Sequence, residues 1–181
     1  MDAQQLVEEL SDRKNPRSWL TYALSHKRAA EILFEHVEAE YPDGEPVNIE
    51  DACLGLQNSA MLLLGLAVEL AIKAFLLKRQ IKNWEEISKV PPLSNHDLLE
   101  QYKFTSLRLS EKRQWTLRQL TAFTQWAGKY PTPKKDNQFV PLPAEFSPLG
   151  LAAQLPPISF RNFERTEVTA LITEIEEMFV T

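Results

Sequence analysis

Cysteine is almost absent from this chain. Of 181 residues only Cys53 carries a thiol, so no internal disulfide can form and a reducing compartment, the cytoplasm, is expected. Set among Ala52, Leu54 and Leu56, it has the surroundings of a buried structural thiol rather than of an activated nucleophile. Glycine is scarce too, at five residues, and neither a glycine-rich phosphate loop nor a serine elbow occurs. No alternating apolar and polar run is long enough for a strand. Histidine is limited to three, of which His26 and His36 fall ten positions apart on one expected helix. That spacing separates them by roughly 15 Å along the axis and about 80° around it, so they cannot share an ion. No His-x3-His, paired cysteine or carboxylate cluster has metal-ligand spacing, so neither a metal nor a cofactor is expected. The N-terminal MDAQQLVEEL is acidic, without the basic then apolar order of a secretory signal.

What the chain does have is one long apolar run. Ala60–Leu77 reads AMLLLGLAVELAIKAFLL, with Glu69 and Lys73 as its only charges, four residues apart. Two central charges oppose a lipid setting, at roughly 2.5–3.5 kcal/mol each. In a soluble helix, Glu followed four residues later by Lys is the favourable order for a pair. The run therefore reads as a helix buried nearly all round, with a structural ion pair, Glu69–Lys73, at the core or its edge.

Around it the chain reads as helices in a single domain of ordinary size. Residues 2–12 can form a short acidic helix. Asn15-Pro16 starts a helix that runs to about Tyr41, with Trp19, Ala23, Ala30, Leu33 and Val37 as its apolar stripe. The central helix is expected over about Ile49–Lys82, roughly 50 Å long. Gly65 near its middle costs something like 1 kcal/mol relative to alanine, which a close helix crossing would explain. Asn95 is expected to cap a short helix through Lys103, and Ser110 one that continues to Ala127. Seven of the twelve prolines fall between Pro131 and Pro157, so residues 131–160 read as a proline-rich surface segment. A final helix over about Asn162–Val180 offers Val168, Leu171, Ile172, Ile175 and Phe179 to the core.

The net charge of −5 is unevenly spread. Residues 1–71 carry 5 basic and 13 acidic side chains; residues 72–135 carry 13 and 5; residues 136–181 carry 2 and 7. A basic middle of net +8 either faces an anionic partner or pairs with the acidic helices of the chain.

Two places bear on chemistry. In Ser94-Asn95-His96-Asp97, the imidazole of His96 stands beside a carboxylate at a helix start. Its first reading is a hydrogen bond to a neighbouring helix that locks the turn; its second is acid–base catalysis by His96 with Asp97. Trp126, Lys129 and Tyr130 can form an aromatic and cationic patch that stacks on a base and meets a phosphate. Equally, the two rings can close the end of the bundle, with Lys129 answering the helix dipole.

The order AVELAIKAFLLKR, NHDLLEQY, WAGKYPTP resembles bacterial members of the HEPN superfamily (higher eukaryote and prokaryote nucleotide-binding domains). In those an E-L-x-x-K-x-x-L helix, a G-H-D-L turn and a W-x-x-R-Y-P segment follow in this order. Matching residues are Glu69, Leu70, Lys73 and Leu76; His96, Asp97 and Leu98; Trp126, Tyr130 and Pro131. Asn95 stands in place of the glycine and Lys129 in place of the arginine. The resemblance implies an all-α, up-and-down bundle of four to five helices, usually a homodimer, contacting RNA or nucleotide in toxin–antitoxin, phage-defence or stress systems.

Ribonuclease members carry an arginine followed by a histidine with four to six residues between them. Here the nearest pairs, Arg28 with His36 and Arg17 with His26, have seven and eight residues between them and lie early in the chain. A metal-independent nuclease needs a cation for the phosphorane and a group to move the 2′-hydroxyl proton. The expectation is a non-catalytic binding or assembly module. The alternatives are a ribonuclease with a displaced site around His96, or a domain that only docks on another protein.

Overall fold

The computed structural model describes residues 15–40, 52–79, 96–127 and 165–180. These form an all-α, up-and-down bundle of five helices around one long central helix, with no strand among the described residues. The expected helix over 2–12 and the proline-rich segment 131–160 lie outside them.

Helix α1 spans Pro16–Glu40. Asn15 Oδ1 accepts the Arg17 N–H at 3.0 Å, and Pro16 loses nothing in a first turn where its N–H would have no partner. Ala23, Ala30 and Val37, spaced seven apart, are buried along with Leu20 and Phe34, while Trp19 and Leu33 pack at the margin.

Helix α2, Ala52–Arg79, has 28 residues and is therefore about 40 Å long. Its most extensive packing is against α1. Every residue from Ala71 to Leu77 is buried, so two turns are enclosed on all sides. Gly55–Arg79 is long and apolar enough to cross a membrane, yet 78% of its most apolar window is buried inside the bundle, as in a core helix. Lys78 and Arg79 in its last turn suit the negative end of the dipole.

Helix α3, Leu98–Lys103, is capped differently from the sequence expectation. Asp97, not Asn95, is the cap: its backbone is extended and its Oδ1 accepts the Glu100 N–H at 3.0 Å. His96 thus precedes the helix instead of opening it. Helix α4, Glu111–Ala122, starts at Ser110, whose Oγ accepts the Arg113 N–H at 3.1 Å, and continues as a π turn over Phe123–Ala127. Helix α5, Arg165–Val180, buries Val168, Leu171, Ile172 and Ile175 at three- and four-residue steps. At its far end Lys78 Nζ donates to the carbonyls of Met178 and Phe179, at 2.9 and 3.2 Å. That supplies partners which helix geometry leaves missing. At its near end Arg165 lies over the Phe34 ring and pairs with Glu38.

Gly65 does mark a close crossing. A Cβ there would lie 2.5 Å from Thr124 Cγ2 and 3.2 Å from the Leu120 carbonyl oxygen, so the backbone of α2 meets α4 and its π turn where no side chain fits. The basic and acidic segments also meet inside the chain. Arg113 Nη1 donates to Tyr102 Oη and Glu174 Oε2, both at 2.8 Å, and Lys112 Nζ lies 3.7 Å from Glu167. Tyr102 is fully buried. Burial raises its pKa above the ordinary 10.0, against the opposing pull of Arg113.

Two outcomes follow from this packing. Gly65→Ala should destabilise by about 1–2 kcal/mol, overpacking outweighing the gain in helix propensity. Thr124→Ser, which removes the clashing methyl, should restore part of the loss in urea unfolding midpoints. Tyr102 has a folded pKa above its unfolded one, so its contribution is complete below about pH 10 and is lost as pH rises through the folded value. As the pH rises above about 10 the protein should lose stability more steeply than Tyr102→Phe. Equal slopes would mean that the phenol ionises without unfolding cost.

Candidate functional site

One helical turn of α2 places Glu69 and Lys73 on the same side. Lys73 Nζ lies 2.5 Å from Glu69 Oε1, and the two side chains are 10% and 6% exposed. The third member comes from 27 residues away: His96 Nδ1 lies 3.0 Å from Oε1 and 2.9 Å from Oε2 of Glu69. The buried carboxylate is thus enclosed by an ammonium on one oxygen and an imidazole across both.

Local backbone geometry delivers His96 to that position. Its φ is 61°, in the left-handed region that costs an L-residue about 1–2 kcal/mol. A hydrogen bond to an ionised acceptor, worth about 1.5–3 kcal/mol, offsets this. Beyond it, Asp97 caps α3, and the Leu98 N–H donates to Thr121 Oγ1 of α4 at 3.0 Å. The Thr121 hydroxyl in turn donates to the Leu117 carbonyl at 2.8 Å. The turn is tied to α2 through a side chain and to α4 through its backbone.

A carboxylate only accepts, so Nδ1 of His96 carries the proton, and in the neutral ring the lone pair sits on Nε2. The His96 side chain is 55% exposed, and no described residue bonds to Nε2. An imidazole oriented by a carboxylate is half of an acid–base pair. The orienting group is Glu69, however, and not the adjacent Asp97, whose oxygen is held by the α3 cap. Lys73 is held by Glu69. Neither is placed to meet a substrate beside Nε2.

The other candidate residues lie apart. Lys129, Tyr130 and the side chain of Trp126 fall outside the described residues, as does the Cys53 thiol. His26 donates its Nδ1–H to the Tyr22 carbonyl at 3.0 Å, and His36 is exposed on the same helix. No three His, Cys, Asp or Glu side chains converge as a metal site among the described residues. A groove along the outer face of α5, lined by Thr166, Thr169, Ala170 and Thr173 among others, includes no member of the Glu69 cluster. Compared with known proteins, the chain matches no family model, no curated protein and no solved structure.

The first reading of His96, a hydrogen bond to a neighbouring helix that locks the turn, is what the structure shows, with Glu69 of α2 as the acceptor; no signal in the sequence pointed to Thr121. Lys73→Met should cost about 3–5 kcal/mol in urea unfolding, because it removes the ammonium from a buried carboxylate and leaves His96 as its partner. Changing both partners, as Glu69→Leu with Lys73→Met, should recover most of that loss, since no charge is then stranded.

Proposed function

We propose that the chain is a non-catalytic, HEPN-like binding or assembly module of the bacterial cytoplasm, acting as a homodimer that contacts RNA or nucleotide in a defence, toxin–antitoxin or stress system. The observation that carries this reading is where the motif residues are used. Glu69, Lys73, His96 and Asp97 are polar residues of the resemblance; Glu69, Lys73 and the Nδ1 edge of His96 engage one another, and Asp97 caps α3. Such use favours a scaffold motif over a substrate site. The missing arginine–histidine pair points the same way.

An outward face of α1 supports the assembly part. Tyr22, Ser25, Ala29, Ile32 and His36 recur at alternating three- and four-residue steps, and Tyr22 and Ile32 are 59% and 51% exposed. This is the spacing of a helix–helix seam. Along one edge of this face Arg28 and Glu35 pair with each other at 3.3 Å.

A displaced ribonuclease site is the second reading, favoured by the oriented and half-exposed imidazole of His96. Light scattering at micromolar concentration should give a dimer mass. The double change Tyr22→Glu, Ile32→Glu should give a monomer of unchanged helix content. A monomeric parent that binds neither RNA nor nucleotide would overturn the proposal. RNA cleavage that vanishes in His96→Ala at an unchanged melting temperature would replace it with the second reading.

A further inference from the structure

We infer that α3 is a latch: residues 96–106 open as one unit while α1, α2, α4 and α5 stay folded, and opening uncovers the Glu69–Lys73 pair. The latch is a property of the single chain and needs neither a second copy nor RNA.

Each group to which α3 is fastened has a second partner in the rest of the bundle. Glu69, which holds His96, keeps Lys73 Nζ at 2.5 Å on its own helix. The Thr121 hydroxyl accepts the Leu98 N–H and also donates to the Leu117 carbonyl at 2.8 Å. Arg113 donates to Tyr102 Oη and also to Glu174 of α5, again at 2.8 Å. Lifting α3 therefore leaves none of these three anchors without a partner, which removes the usual polar penalty of opening.

The segment itself is relieved on release. His96 and Ser106, at φ 61° and 59°, are the two non-glycine residues with positive φ among those described, and they bracket α3. Both relax once the ends are freed. Between them Gln101 is fully buried, and neither polar atom of its side-chain amide has a hydrogen bond among the described residues; water satisfies both in the open state. A helix of six residues has no stability of its own, so its turns are lost together. Burial of Leu98, Leu99 and Tyr102 opposes all this and keeps the latch closed most of the time. Opening takes away the imidazole, the only described group from outside α2 bonded to the Glu69 carboxylate.

Native-state hydrogen exchange of the full chain, followed residue by residue, tests this. The amides of Leu98, Gln101, Phe104 and Thr105 are all hydrogen-bonded in the closed state, and their protection factors should agree within about threefold. Protection there should be at least about tenfold below that of residues 71–77 of α2, and should change little in dilute urea. Ile175→Val, in the buried face of α5, should speed exchange of those α2 amides by about threefold and leave the α3 amides within about twofold. Gln101→Leu removes the unpartnered amide and should slow the α3 amides by about fivefold. Ser106→Gly, which adopts positive φ without strain, should slow them by about twofold. Should Gln101→Leu not fold, the parent chain, Ile175→Val and Ser106→Gly still decide. Exchange of α3 at the rate of α2 with an equal response to Ile175→Val, protection that falls off residue by residue from one end, or unchanged exchange in folded Gln101→Leu and Ser106→Gly proteins would each overturn the inference.

Discussion

A carboxylate that is 6% exposed in the middle of an apolar helix governs the rest of this structure. Taking a carboxylate out of water costs several kcal/mol, so Glu69 can stay ionised only where other groups replace its hydration. Lys73, one turn along, provides a counter-charge but reaches only one oxygen. The remaining demand is met from outside α2, by a histidine that its backbone must hold in a strained conformation. The cost of burying one charge thus becomes a requirement on the chain 27 residues later. That requirement fixes where the segment before α3 arrives, because a slip of one residue would turn the imidazole away from the carboxylate. Polar groups in a core are weak contributors to stability, but here they select one arrangement of three helices over others that would bury a similar apolar area.

Gly65 and Glu69 work on the same stretch of α2, one turn apart. The missing side chain at Gly65 lets α4 approach until Thr124 and Leu120 touch the backbone of α2. Only with α4 that close can Thr121, one turn before Thr124, accept the first amide of α3. His96 precedes that amide by two residues. Close packing at the glycine and the polar clasp at the glutamate are therefore successive links of one geometric chain. Arg113 closes the far side of the same hairpin, joining Tyr102 of α3 to Glu174 of α5.

Most of the helices were legible in the residues because their signals are local. The Asn15-Pro16 start, the Ser110 cap and the apolar stripes of α1 and α5 each depend on neighbours within two turns, and each stands where periodicity placed it. Glycine in an apolar helix likewise announced a crossing, although not its partner. The cap of α3 was misassigned for a physical reason. Asn95 and Asp97 are both good caps, and choosing between them requires knowing that His96 turns left-handed to reach Glu69. The candidate site was legible only in parts. Glu69–Lys73 is a contact of neighbouring turns, but its closure by His96 is a contact between segments, and no spacing rule encodes that. Gln101 and Gln119 show the same limit: both are buried with amide atoms that lack a partner among the described residues, a cost that no local pattern foretold.

The middle segment has a net charge of +8, and among the described residues several of its cations are met inside the chain. Lys73 answers Glu69, Lys103 answers Glu100, and Lys112 and Arg113 meet the carboxylates of α5. Lys78 is held by two carbonyls at the end of α5. Arg79, Arg108 and Arg118 remain exposed without an ion pair among the described residues. A surface that offers few uncommitted cations releases few counterions on meeting a polyanion, and its affinity then changes little with salt. Net charge per segment measures what a chain brings to folding. What it offers a partner is the remainder after the acidic and basic helices have met, and in the described part of this bundle that remainder is small.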